Sequence, residues 1–190
     1  VSYEWPLIPN PEGVEAAFAE AAHHITETYV HQRLIPAPME PRGVAAVPSP
    51  HNGDMTLYSS TQIPHILKVM AALTAGIPEH KMRVIAPAVG GGFGCKLGVY
   101  AEEIICLALA LRHGVPVRWT EGRTEAATAT IQGRAQRQTI ELAADENGKL
   151  LAVRATLLAD MGAYLQLITP GVPLLGAFLC HGLYDVPLYS

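Results

Sequence analysis

The run Gly90-Gly91-Gly92-Phe93-Gly94 constrains this chain more than any other stretch, because it separates an apolar run, Met82 to Val89, from a helical pattern, Lys96 to Arg112. The apolar run reads as a strand. In the helical pattern Ile104, Ile105, Leu107, Ala108 and Leu111 recur along one segment, Gly114 marks its end, and Pro116-Val117-Arg118-Trp119 opens another strand. The unit is strand, glycine turn, helix, strand. Glycine in such a turn lets backbone approach a ligand closely, and free N–H groups at a helix start favour an anion. A tight turn that binds nothing is the plain alternative.

Two common phosphate-binding loops are disfavoured. A Walker loop needs Gly directly before its lysine and Ser or Thr after it, whereas Cys95 and Leu97 flank Lys96. A dinucleotide fingerprint read from Gly90 ends on Cys95, and one read from Gly92 ends on Leu97, where a small residue is required.

Elsewhere the punctuation is equally local. Asn10-Pro11-Glu12 is a helix opening with a capping side chain, Pro in the first turn and an early acid, and Val14, Phe18, Ala21, Ala22 and Ile25 follow at helical spacing. Ile25 to Arg33 turns strand-like, and Pro36, Pro38 and Pro41 break it. Gly43–Val47 and Met55–Ser60 read as a hairpin around His51-Asn52-Gly53-Asp54. Pro64 opens a second helix carrying Ile66, Leu67, Met70, Ala71 and Leu73, stopped at Gly76. Gln138–Ala144 and Leu150–Ala159 form a further hairpin closed by Asp145-Glu146-Asn147-Gly148, and little periodicity is left beyond Gly162. The expectation is an α+β fold, mixed sheets with three packed helices, with a subdivision near residues 122–137.

A hydrophobic content of 49% over 190 residues supplies ample core, and a net charge of −4 with scattered basic residues argues against nucleic acid. Cys95, Cys106 and Cys180 are odd in number, widely spaced and free of CxxC, so neither a disulfide framework nor a zinc or iron–sulfur site is encoded and a reducing cytoplasm fits. Pro and Gly interrupt the longest apolar stretch, Tyr164 to Leu183, which leaves no membrane span. The start at Val1 and the extended stretch running up to Ser190 read as an internal segment of a longer protein.

The glycine run with its following lysine resembles the loop by which the large subunits of molybdenum hydroxylases approach molybdopterin, the family of xanthine dehydrogenase, aldehyde oxidase and aerobic carbon monoxide dehydrogenase. Ser60-Thr61-Gln62, Met39-Glu40-Pro41-Arg42, Trp119-Thr120-Glu121-Gly122-Arg123-Thr124-Glu125 and Leu158-Ala159-Asp160-Met161-Gly162-Ala163-Tyr164 match in order and spacing. Thr169-Pro170-Gly171-Val172-Pro173-Leu174-Leu175 and Gly182-Leu183-Tyr184-Asp185-Val186-Pro187 look like the bacterial carbon monoxide dehydrogenase branch. Cys95 departs from the Gly or Asn of many relatives.

The resemblance implies a molybdenum held through the dithiolene of molybdopterin, in bacteria typically molybdopterin cytosine dinucleotide, without protein ligands to the metal. It implies that Gly90, Gly91, Gly92, Phe93 and Gly94 bind the cofactor, that Phe93 lies beside the molybdenum, and that Gln62 reaches an oxygen on it in a catalytic role. It further implies an iron–sulfur small subunit with [2Fe-2S] clusters, an FAD medium subunit and a small-molecule substrate. The family's catalytic glutamate, and the loop that distinguishes carbon monoxide oxidisers, would fall beyond Ser190. A non-catalytic module that binds a phosphate-bearing ligand is the reading from another class.

Other polar residues have plainer expectations. No His pair has ligand spacing, and Glu102 and Glu103 read as solvated or dipole-stabilised acids in the helix after the loop. Cys95 reads as a small buried residue rather than a reactive thiol, and Glu40 with Arg42 as a rigid ion pair.

Overall fold

A computed structural model describes residues 10–190. Asn10 accepts the Gly13 N–H at 2.7 Å and Pro11 occupies the first turn of α1 (Pro11–Glu20), as the capping pattern requires. The helix is shorter than its apolar spacing suggests. Ile25 lies in β1 (His23–Leu34), in line with the strand-like reading of Ile25 to Arg33; the β-branched content of that strand favours extended chain, and the Ile25 side chain is exposed.

β2 (Gly43–Pro48) and β3 (Met55–Ser59) pair antiparallel as a hairpin, with Gly53 at φ 70° in the turn. Their alternation places Val44, Ala46, Met55 and Leu57 on one buried face. α2 (Pro64–Ala75) crosses over to β4 (Met82–Ile85), which pairs parallel to β3, and Gly76 ends the helix at φ 67°. α2 buries Leu67, Ala71 and Ala72, whereas Ile66, Met70 and Leu73 stay exposed. α3 (Ala101–His113) covers the same sheet face through Cys106, Leu107 and Ala110, and β5 (Val117–Thr120) adds to the other edge of β2. The order β4-β3-β2-β5 is therefore a mixed sheet backed by two helices, and α4 (Arg123–Ala129) follows it.

A second sheet has the order β1-β6-β7-β8, from β6 (Gly133–Ala144), β7 (Leu150–Ala159) and β8 (Leu188–Tyr189). β6 and β7 form the expected hairpin, and Val14 of α1 packs with Ala143 and Ala152 as its small core. α5 (Gly171–Phe178) completes five α-helices among the described residues, two more than the periodicity indicates. α4 lacks apolar periodicity, and α5 carries Pro173 in its first turn, where a missing N–H costs nothing. The chain divides into two compact units, one containing α1 and the β6–β7 hairpin, the other residues 34–133 with 166–168. The architecture is α+β, mixed sheets with packed helices. No helix among the described residues is long and apolar enough to cross a membrane.

Candidate cofactor site

The glycine run lies inside a long connection rather than at a helix start. β4 ends at Ile85, four residues before Val89, and α3 begins at Ala101 rather than Lys96. Pro87 cannot donate to a sheet ladder, and residues after Gly94 fold into turns, with Cys95 N bonded to Gly92 O and Leu97 N to Gly94 O. Helix-start N–H groups are thus not available to a ligand at the loop. The loop supplies its own: the consecutive N–H groups of Gly91, Gly92 and Phe93 meet no acceptor among the described residues. Successive free N–H groups in irregular backbone suit an anionic, oxygen-rich ligand.

Gly91 and Gly94 take φ of 91° and 93°, a region that disfavours a side chain, and Phe93 itself sits at φ 50°. Gly92 is needed for a different reason. Its φ is not positive, but a Cβ there would stand 2.3 Å from Oε1 of Gln62. A Cβ on Gly90 would likewise meet Glu40 Cβ at 2.6 Å.

Gln62 follows β3 on the short link to α2 and lies across this loop. Its Oε1 accepts the N–H of Gly94 at 3.0 Å and of Lys96 at 3.2 Å, while its own backbone N–H donates to Lys96 O at 2.9 Å. Two donors fix which end of the amide is oxygen, so Nε2 keeps both of its hydrogens for another acceptor. Phe93, 74% exposed, adds an apolar wall.

Buried charge holds the frame below. Glu40 takes the Gly90 N–H at 2.7 Å and the Lys96 ammonium at 2.9 Å on the same oxygen. Burial pushes the Glu40 carboxyl up, but the Lys96 and Gly90 hydrogen bonds and the Lys96 charge outweigh it and hold it below its ordinary value. Arg42 does not pair with Glu40. Its guanidinium bonds Glu121 at 2.7 and 2.9 Å and Glu102 at 3.2 and 3.4 Å, and stacks 3.8 Å over the Tyr100 ring. Desolvation pulls Arg42 down, and those carboxylates more than reverse it. Arg123 donates to Pro38 O and Met39 O, both at 2.6 Å, which pins the proline-rich segment.

Both acids stand in the first turn of α3, where the helix dipole favours them, but Glu103 is not solvated. Glu103 is buried, accepting Ser59 Oγ at 2.6 Å and Tyr100 N at 2.9 Å, and burial pushes its carboxyl up despite the Ser59 bond. Glu102 is half-buried against Arg42. Cys95 is buried and burial raises its thiol, as suits a packing residue. Lys96, Glu121, Arg123 and Ser59 complete the frame without having been marked by any single-residue signal, although Lys96, Glu121 and Arg123 lie inside the motif blocks. Among the described residues no group of His, Cys, Asp or Glu could hold a metal ion. A group that brings its own metal ligands and presents oxygen-rich atoms to N–H donors fits what is present.

Comparison with known proteins gives the family of the chain. Residues 8–190 match the family model of the molybdopterin cofactor-binding domain. The carbon monoxide dehydrogenase large chain of Afipia carboxidovorans is 37% identical over 187 residues, covering 98% of this chain and 23% of that one. Reconstituted CO dehydrogenase from Oligotropha carboxidovorans superposes with a TM-score of 0.81 at 35% identity, covering 94% of this chain and 22% of that one. Quinoline 2-oxidoreductase from Pseudomonas putida 86 gives a TM-score of 0.81 at 34% identity, covering 93% and 23%. The chain spans under a quarter of the length of these relatives. With the family model covering nearly its whole length, the chain belongs to the molybdopterin cofactor-binding domain family, related to the large subunits of carbon monoxide and xanthine dehydrogenases.

Proposed function

We propose that this chain is the part of a molybdenum hydroxylase large subunit that receives the molybdenum end of the cofactor, with Gln62 and the Gly90–Gly94 loop as its contacts. The observation that carries this reading is the amide of Gln62, its oxygen tied to Gly94 and Lys96 and its Nε2 left as a donor beside Gly92. When bound, the molybdopterin supplies two-electron redox chemistry. The chain's own residues hold and orient: the N–H groups of Gly91, Gly92 and Phe93 bind oxygen atoms of the cofactor, and the Phe93 ring keeps water from one side. Gln62 Nε2 donates a hydrogen bond into the reacting region, and as a neutral donor it adds no charge there.

In the same proposal the cofactor is molybdopterin cytosine dinucleotide, and electrons leave through an iron–sulfur subunit carrying [2Fe-2S] clusters to an FAD subunit in the cytoplasm. The full-length protein tests it. About one molybdenum per chain, with cytosine nucleotide released on acid hydrolysis, is expected. A folded protein that takes up phosphate ligands but no molybdenum would assign the loop to a non-catalytic binding module.

A further inference from the structure

Lys96 heads the fully buried side chains among the described residues, at 1% exposure. A lysine is almost never so buried unless paired. The cost of taking the Lys96 charge out of water offsets much of what its bond to Glu40, whose side chain is 39% exposed, contributes, so the pair adds little stability over apolar residues of the same size. Its presence therefore points away from stability and towards direction. The connections are specific. Through Nζ, Lys96 holds the Glu40 oxygen that also takes the Gly90 N–H, and the Glu40 N–H donates back to Gly90 O at 3.1 Å. Through its backbone, Lys96 binds Gln62 on both sides, N–H to Oε1 at 3.2 Å and carbonyl to the Gln62 N–H at 2.9 Å, and Thr61 Oγ1 reaches the same carbonyl at 3.4 Å. One residue thus ties the entry of the glycine loop to the carboxamide that lies across its exit.

We infer that the Lys96–Glu40 ion pair is a positioning pair, which sets the Gln62 carboxamide by fixing the Lys96 backbone and holding the start of the loop against the 38–42 segment. Neither side chain touches the bound group in this account; both act through Gln62 and Gly90. The inference rests on the role proposed for Gln62, but its first test does not. In the full-length protein, Lys96→Met with Glu40→Gln removes both charges and keeps both volumes, so no unpaired charge is left buried. Glu40→Gln alone, which retains an acceptor for Gly90, is measured beside it against misfolding of the double variant.

Amide hydrogen exchange at Gly94 and Lys96 should quicken by about tenfold or more in both variants. In the double variant, which leaves no charge buried, exchange in α3 and the melting temperature should stay close to the unmodified protein, whereas Glu40→Gln alone, which strands the Lys96 charge, should also melt lower. In the cofactor-loaded protein kcat should fall by about tenfold with KM little changed, and adding Gln62→Ala to the double variant should lower kcat far less than it does alone. Unchanged exchange at Gly94 and Lys96 in both variants would overturn the proposal, as would, in the double variant, exchange raised evenly across the domain with a lowered melting temperature, or a full Gln62→Ala effect. Should the protein carry no molybdenum, the functional reading falls while the exchange measurement still decides the positioning role.

Discussion

Gln62 and Gly92 occupy one space between them: the carboxamide oxygen lies 2.3 Å from where any β-carbon on residue 92 would stand. No side chain can be added at residue 92 without moving the Gln62 carboxamide. Gly92→Ala should cost about 1 kcal/mol, the low end of the overpacking range, because the atoms it meets belong to the end of an exposed, flexible side chain. Combining it with Gln62→Ala should recover most of the melting temperature, because the opposing atoms are gone, but not the cofactor. Thermal melts and molybdenum content of the full-length variants check this, and a double variant no more stable than Gly92→Ala would refute the shared-space account.

Arg42 and Glu121 have side chains only 7% and 1% exposed, so removing one leaves the other charged, buried and without its main partner. Arg42→Met should destabilise by about 3–5 kcal/mol, and Arg42→Met with Glu121→Leu by clearly less. Denaturant midpoints of the single and double variants measure the difference.

Glu40 gives a pH signature. Its folded carboxyl titrates below the ordinary value of 4.5, so its contribution is fully present above about pH 4.5 and is lost as pH falls through the lower folded value. Unmodified protein should therefore lose more stability than Glu40→Gln on acidification below 4.5. Parallel stability–pH curves for the two would contradict the Glu40–Lys96 clasp.

Leu175, Leu179 and Leu183 are all exposed near α5, an apolar surface that favours association. The 190-residue chain alone should associate in a concentration-dependent way, and Leu179→Lys with Leu183→Lys should reduce it. Light scattering across a dilution series reads this directly.

Much of the fold is legible in the sequence because its signals are local. Pro11 and Pro64 open helices, Gly76 and Gly114 end them, and Asn52-Gly53 and Asn147-Gly148 turn hairpins, each through a backbone preference that needs no distant partner. Ile25 and the start of α3 mislead for the same reason: apolar spacing runs on past Glu20, and backwards from Ala101 to Lys96, but tertiary pairing decides where the chain stays helical. The loop and Gln62 stand out as motif residues. Their frame does not. Arg42 finds Glu121 across 79 positions and Lys96 finds Glu40 across 56, and a neighbouring-residue reading pairs Glu40 with Arg42 instead.

The measurement closest to the central claim is Gln62→Glu in the full-length protein. Glutamate keeps an oxygen for the Gly94 and Lys96 N–H groups but loses the Nε2 donor, so frame and chemistry separate. Molybdenum content, melting temperature and turnover are measured on one preparation, with whichever of carbon monoxide, an aldehyde, a purine or another heterocycle the unmodified protein oxidises. Turnover should fall by about 10²–10³ with metal content and melting nearly unchanged. Undiminished turnover would contradict the donor role and leave Gln62 a part of the scaffold.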